Sequence, residues 1–343
     1  MPDYNKFFRN KTILVTGATG TVGQELTRAL LKYNPKTLRV YSRDESRQFD
    51  MAHKFSQYKN IRFLLGDVRD RERLDRAFEN VDYVYHLAAL KHVGACEYNP
   101  FEAVKTNIQG TQNVLDSAIL NEVDQVLFTS SDKAANPSNA MGASKLMAER
   151  LVIAANAYKG KRRTRFSIVR LGNVLGSRGS IIPLMINQLR TGKSVTLTDP
   201  DMTRYVITMK NIIRFIVECS YFLQGGEIFV PQMKTVTTPD LIRAIVNQYC
   251  AKHGRDSNKV KIRTIGARPG EKNYEELITE EESSRSWICK THYFVHPQIS
   301  DVITPLKISK RKYQKAILGA VSSFQSKHLT LGQIEKLIAP YIE

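Results

Sequence analysis

Short apolar runs alternate along the chain with stretches in which apolar residues recur every three or four positions. The runs "TILVTG", "TLRVYSR", "IRFLLGD", "VDYVYHLAA", "QVLFTSS" and "FSIVRLG" have strand length, and several are apolar at successive positions. Strands of that kind are covered on both faces. Segments between them, such as "TVGQELTRALLKY" and "QFDMAHKFSQY", carry the helical period. This alternation predicts an α/β fold of the Rossmann type, a doubly wound parallel sheet with crossover helices on both sides. Residues 1–172 are expected to form that nucleotide-binding domain. After Gly172 the alternation loosens, and 173–300 are expected to be mainly a smaller substrate-binding lobe, with a strand near 226–232 returning to the sheet. "TTPDLIRAIVNQYC" predicts a helix with Thr238 as N-cap and Pro239 in the first helical position. Residues 301–343 are expected to be a helical tail.

With 42% hydrophobic residues, a chain of 343 residues can bury an extensive core. It contains no apolar run of about 18 residues, the length a membrane span requires, and "MPDYNKFFRNKTILV" carries no signal-type apolar segment. A cytoplasmic protein without a membrane span is expected. Cys96, Cys219, Cys250 and Cys289 are widely separated, which points to reduced thiols and to no metal site. The net charge of +18 calls for an anionic partner. The basic runs "KGKRRTR" (159–165) and "SKRKYQK" (309–315) lack a nucleic-acid motif and read as solvated surface, so that partner is expected to be a small molecule.

Gly17, Gly20 and Gly23 lie between the first strand and the first long helix, within "TGATGTVG". Glycines there permit a tight turn and let backbone N–H groups meet a pyrophosphate at the helix N-terminus. Thr19, Thr21 and Val22 complete the turn. The second strand ends in Ser42 and Arg43 rather than in the acid that commonly accepts from a ribose 2′-hydroxyl. A hydroxyl and a guanidinium suit a 2′-phosphate, which favours NADP, and Lys54 adds charge. The alternative is NAD with Asp44 as the acid. Asp67 and Val68 are placed to meet the adenine, and Ala88 and Ala89 leave room for the cofactor backbone.

The motifs "GATGTVG", "GDVRD", "HLAALKHVGACEYNP", "SSDKAANPSNAMGASK", "RLGNVLGSRGS", "MTRYVIT" and "RPGEK" together resemble the UDP-N-acetylglucosamine 4,6-dehydratases, extended short-chain dehydrogenase/reductases of polysaccharide biosynthesis. The resemblance covers about residues 8–280 of the sequence, and Asp-Lys after the strand separates these dehydratases from epimerases of the same fold. It implies oxidation at C4, removal of the C5 proton with loss of the C6 hydroxyl as water, and return of the hydride to C6. Lys133, with a lowered pKa, is then the C5 base and Asp132 the C6 acid. Ser131 contacts the C4 oxygen, and Lys145 positions the nicotinamide ribose. Met141 occupies the position where many relatives have a catalytic tyrosine, as in a methionine-containing subset. Asp132 is the leading candidate for the C4 proton, and that subset favours retention at C5. The resemblance further implies that Asn173 and Arg204 bind the diphosphate, Arg268 and Glu271 the phosphates and uridine ribose, and Lys91 the sugar. UDP-N-acetylglucosamine is the implied partner, in a homo-oligomer. A UDP-sugar epimerase and a catalytically silent NADP-binding sensor are the other two readings.

Overall fold

The structure, a computed structural model, describes residues 2–299, 313–316 and 319–342. Six parallel strands carry the expected apolar runs: β1 (Thr12–Thr16), β2 (Thr37–Ser42), β3 (Ile61–Leu65), β4 (Tyr83–His86), β5 (Gln125–Ser131) and β6 (Arg165–Leu171). They lie in the order β3-β2-β1-β4-β5-β6, and strand Ile228–Pro231 pairs parallel with β6. The sheet then continues antiparallel through His292–Val295, Ser286–Ile288 and Gln314–Lys315. All five residues of β1 are buried, as a central strand covered on both faces requires. One apolar cluster, including Val15, Leu26, Leu30 and Ile216, covers one face, and a second, including Leu14, Val114, Val126 and Val152, covers the other. The strand order reverses between β1 and β4, which opens a crevice at their carboxyl ends.

A third cluster forms the lobe beyond that crevice, from Ile182, Val236, Leu241, Ile245, Ile334 and Ile338. Its helix Thr238–Lys252 corrects the expected cap by one residue. Thr237 is the N-cap, with extended backbone at φ −78° and ψ 145°, and it accepts from the Asp240 N–H at 3.2 Å. Pro239 is therefore the second helical residue, where a missing N–H is equally harmless.

The expected helical tail is helical over Leu331–Ile338 and forms a 3₁₀ turn over Ala339–Tyr341. Before that helix, among the described residues, Gln314–Lys315 pairs with Trp287–Ile288 and Val321–Ser322 pairs with Glu276–Ile278. Strand edges leave backbone groups to be satisfied, and that demand overrides a weak local helical signal. Most of the 309–315 basic run lies outside the described residues. No helix among the described residues is long and apolar enough to cross a membrane.

Candidate active site

A cavity of about 810 Å³ runs along the crevice from the glycine turn to Asp132 and Lys133. At its near end Gly17 has φ +66°, and a Cβ there would lie 2.6 Å from the Ala88 backbone nitrogen. Only glycine fits such a left-handed, backbone-to-backbone contact. Gly20 caps the helix Thr21–Leu31 without a side-chain hydrogen bond, leaving its first N–H groups open to an anion. Thr19, Thr21, Val22, Gly23, Val68, Ala88 and Ala89 also line the cavity. These residues, with the open helix N-terminus, fit a dinucleotide pyrophosphate.

The adenosine end separates the two cofactor readings. Ser42 bonds Thr19 through their hydroxyls at 2.8 Å, and Arg43 reaches Asp67 at 3.4 Å. Asp44 is already engaged: it caps helix Glu45–Lys54 through the Arg47 N–H at 2.9 Å and pairs with the Arg47 side chain at 3.1 Å. Arg47, in the first turn of that helix, lines the cavity with Arg43. Lys54, expected to add charge here, is seven residues further along, about 10 Å at helical rise, and does not line the cavity. The cationic pair is Arg43 and Arg47.

The reactive end is built where β5 stops. Residues Asp132–Ala134 form a single 3₁₀ turn, capped by Ser131, whose hydroxyl accepts from the Lys133 N–H at 3.3 Å and donates to Asp132 Oδ1 at 2.8 Å. The long helix Ala140–Tyr158 starts at Asn139, which accepts from the Gly142 N–H at 2.7 Å. A Cβ at Gly142 would sit 2.3 Å from the Lys133 carbonyl, so this glycine lets the helix dock on the turn. Met141 is buried with Cys96 and Ala103 and lines the cavity. One helical turn on, Lys145 donates to the Thr129 carbonyl at 2.7 Å and lies over the Phe128 ring.

Glu275, which the sequence did not single out, joins this group. Lys133 Nζ is 2.6 Å from Glu275 Oε1 and 3.1 Å from Asp132 Oδ1, and Asn173 Nδ2 donates to Glu275 Oε2 at 2.8 Å. Arg204 approaches Glu275 at 3.6 Å. Lys133 keeps 26% of its side-chain surface open, whereas Asp132 and Glu275 keep 1% and 4%.

Their electrostatics correct one expectation and sharpen another. Burial, then repulsion from Glu275, pushes the Asp132 carboxyl up to about 7 despite the neighbouring Lys133. Asp132 Oδ2 is buried with no donor aimed at it among the described residues, and the Asp132 and Glu275 carboxyls share a side-chain hydrogen bond that needs a proton on one of them, which the raised value assigns to Asp132. Burial works against Glu275 too, but the charges of Lys133 and Arg204 prevail and hold it down at about 2. Lys133 was expected to have a lowered pKa. Burial does act in that direction, yet Asp132 and Glu275 outweigh it and raise the ammonium above its ordinary range. Lys145 is the strongly depressed lysine of this end, brought to about 7 by burial, and Lys91, further along the cavity, is lowered by burial and by the Arg178 charge.

Of the expected substrate residues, Asn173 and Arg204 gather around Glu275. Glu271 lies on a small adjoining pocket with Asp132, Lys133 and Arg204. Arg268 is exposed and lines neither cavity; its backbone N–H bonds Glu271 at 3.1 Å. Lys91 donates to the Arg178 carbonyl at 2.7 Å, and Arg178, also unremarked in the sequence, reaches across the cavity to the Thr19 carbonyl. His86 is a packing residue, bonded to Thr16 at 2.7 Å and Thr111 at 3.1 Å. Glu275 follows the quoted "RPGEK" by three residues, which was the available signal for it.

The family described as polysaccharide biosynthesis protein matches residues 13–297. The chain is 52% identical to an uncharacterized membrane protein of Methanocaldococcus jannaschii, across 86% of this chain and 88% of that one. It is 41% identical to a Campylobacter jejuni UDP-N-acetylglucosamine 4,6-dehydratase (inverting), across 86% and 85%. It is 37% identical to a Rickettsia bellii UDP-glucose 4-epimerase, across 96% of each. Among solved structures, Pen from Bacillus thuringiensis superposes with a TM-score of 0.92 at 39% identity, covering 98% of each chain.

Proposed function

As a member of the polysaccharide biosynthesis protein family, and of the extended short-chain dehydrogenases/reductases related to UDP-N-acetylglucosamine 4,6-dehydratases, this chain is, we propose, an NADP-dependent dehydratase of UDP-N-acetylglucosamine. The observation that carries the reading is the buried Asp132 beside Lys133 at the end of the cavity, a carboxyl poised near neutrality next to an ammonium. A group that must first accept and then donate a proton at neutral pH works best with such a pKa. Arg43 and Arg47, with Asp44 committed to its helix cap, support NADP over NAD.

Bound NADP supplies the acceptor for the C4 hydride and the same hydride for C6. Asp132 takes the C4 hydroxyl proton as C4 is oxidised, while Ser131 steadies the C4 oxygen. The resulting ketone acidifies the C5 proton. Lys133, whose side chain keeps 26% of its surface open, gives its own proton to solvent and as an amine removes the C5 proton. Asp132 then protonates the C6 hydroxyl, which leaves as water. Lys133 returns a proton to C5 as C6 is reduced and regains its own from solvent. The sugar loses one water, giving a UDP-4-keto-6-deoxy-N-acetylhexosamine, and the residues recover their starting charges. With Met141 bringing no proton donor, removal and return at Lys133 would retain the C5 configuration, as the methionine-containing subset implies; the Campylobacter jejuni relatives are named inverting, and the C5 proton couplings of the product distinguish the two outcomes.

Lys145 fixes the cofactor ribose from the floor of the cavity. By the family resemblance Asn173 and Arg204 would bind the diphosphate, Lys91 the sugar, and Arg268 with Glu271 the phosphates and uridine ribose. The Rickettsia relative's name motivates a second reading, epimerisation, against which the Asp132–Lys133 pair stands. Incubation with UDP-N-acetylglucosamine and NADP, followed by proton NMR, separates the two. A C6 methyl beside a C4 ketone supports dehydration, and an intact C6 hydroxymethyl with altered C4 configuration refutes it.

A further inference from the structure

The segment beyond residue 300 falls outside the family match, which ends at residue 297, yet part of it reaches the reactive end. Strand Val321–Ser322 pairs with Glu276–Ile278, and the next residue, Ser323, is fully buried against Glu275. The Glu275 N–H donates to Ser323 Oγ at 2.9 Å, and the Ser323 N–H donates to the Glu275 carbonyl at 2.8 Å. The same serine hydroxyl bonds Thr203 at 2.8 Å, one residue before Arg204. Two reciprocal bonds and a third to a neighbouring strand fix the Glu275 backbone, and hence where its carboxylate lies.

We propose that Glu275 is a positioning residue, clamped by Ser323 of the C-terminal segment, whose carboxylate anchors the Lys133 ammonium and by like charge makes Asp132 the proton-carrying member of the pair. This deepens the dehydratase reading and rests on it for its catalytic meaning. Two buried carboxyls in contact cannot both ionise cheaply, and the one with the better cationic company stays charged. Lys133, Arg204 and the Asn173 amide all face Glu275; Asp132 has Lys133 and the Ser131 hydroxyl, and the Tyr205 hydroxyl lies near both carboxyls. The clamp thus assigns the proton to the group next to the sugar.

The test is a carboxyl-carbon NMR titration of the full chain labelled in aspartate, with Asp132 identified by its loss in D132N. Asp132 is expected to titrate near neutrality in the wild type and about one pH unit or more lower in E275Q, because the like charge is gone. S323A leaves the carboxylate in place but loosens it, and should move Asp132 in the same direction by less while slowing water loss about tenfold, the scale of a misplaced catalytic group. E275D, keeping the charge, should restore much of the wild-type titration. An Asp132 titration unchanged in E275Q overturns the role of Glu275. An S323A protein indistinguishable from wild type in titration and turnover overturns the clamp. A wild-type protein that leaves UDP-N-acetylglucosamine intact would refute the dehydratase reading alone, since the titration requires no substrate.

Discussion

Replacing Lys133 with methionine removes a charge but keeps most of the side chain's volume, which makes K133M an informative variant. At an effective dielectric of about 20, the 2.6 Å contact with Glu275 represents roughly 6 kcal/mol of gross attraction, and the 3.1 Å contact with Asp132 roughly 5. Losing both leaves two buried carboxyls sharing a pocket with Arg204 as the remaining nearby cation. Their apparent pKa values must rise together, so the carboxyl pair of K133M should hold more proton near pH 7 than the same pair in the wild type. The same change deletes the C5 base, for which about 10²- to 10⁴-fold in rate is the usual loss. The glycine turn lies at the other end of the cavity, so NADP affinity should stay within about threefold, or under 1 kcal/mol. Mass spectrometry of the sugar nucleotide measures water loss, and calorimetry measures cofactor binding. Wild-type turnover in K133M would refute Lys133 as base. Turnover and NADP binding lost together would mean that the substitution had damaged the fold rather than the chemistry.

Other consequences are equally specific. Lys145 is held at about 7 against 10.5 when unfolded, so the unfolded chain binds more protons between those values and stability should rise with pH across that window; urea denaturation at several pH values should show this rise weakened in K145M. R43A should lower the preference for NADP over NAD by about tenfold or more, the worth of a charged hydrogen bond to phosphate, measured by competitive cofactor binding; an unchanged preference would reassign the 2′-phosphate site. Buried Arg170 pairs with Glu149 and Glu282 at 2.7 Å each, and E282Q should cost about 3–5 kcal/mol in denaturant unfolding, because it leaves a buried guanidinium under-compensated.

The parallel sheet was legible because central strands such as β1 and β5 must be apolar on both faces, and that demand leaves unbroken runs like "TILV" and "QVLF". The glycine turn was legible because its backbone geometry admits few other residues. Asp132 and Lys133 stood out as neighbours in the chain. Glu275 did not, since its contact with Lys133 closes across 142 positions and only folding brings it there. The protonation of the lysines was unreadable for the same reason. Lys133 and Lys145 are chemically identical, and what separates them is that one meets two carboxylates whereas the other meets a carbonyl and a ring. The tail misled because its two short strands are dictated by sheet edges contributed by distant residues, and Lys54 misled because the helix that carries it points its first turn, not its last, at the cavity.

The most direct measurement uses UDP-N-acetylglucosamine carrying deuterium at C4, incubated with the protein and NADP in ordinary water, with the label located in the product by NMR. The account requires the deuterium to appear in the C6 methyl group of a 4-keto product. Deuterium remaining at C4, in a sugar that still has its C6 hydroxyl, would contradict it.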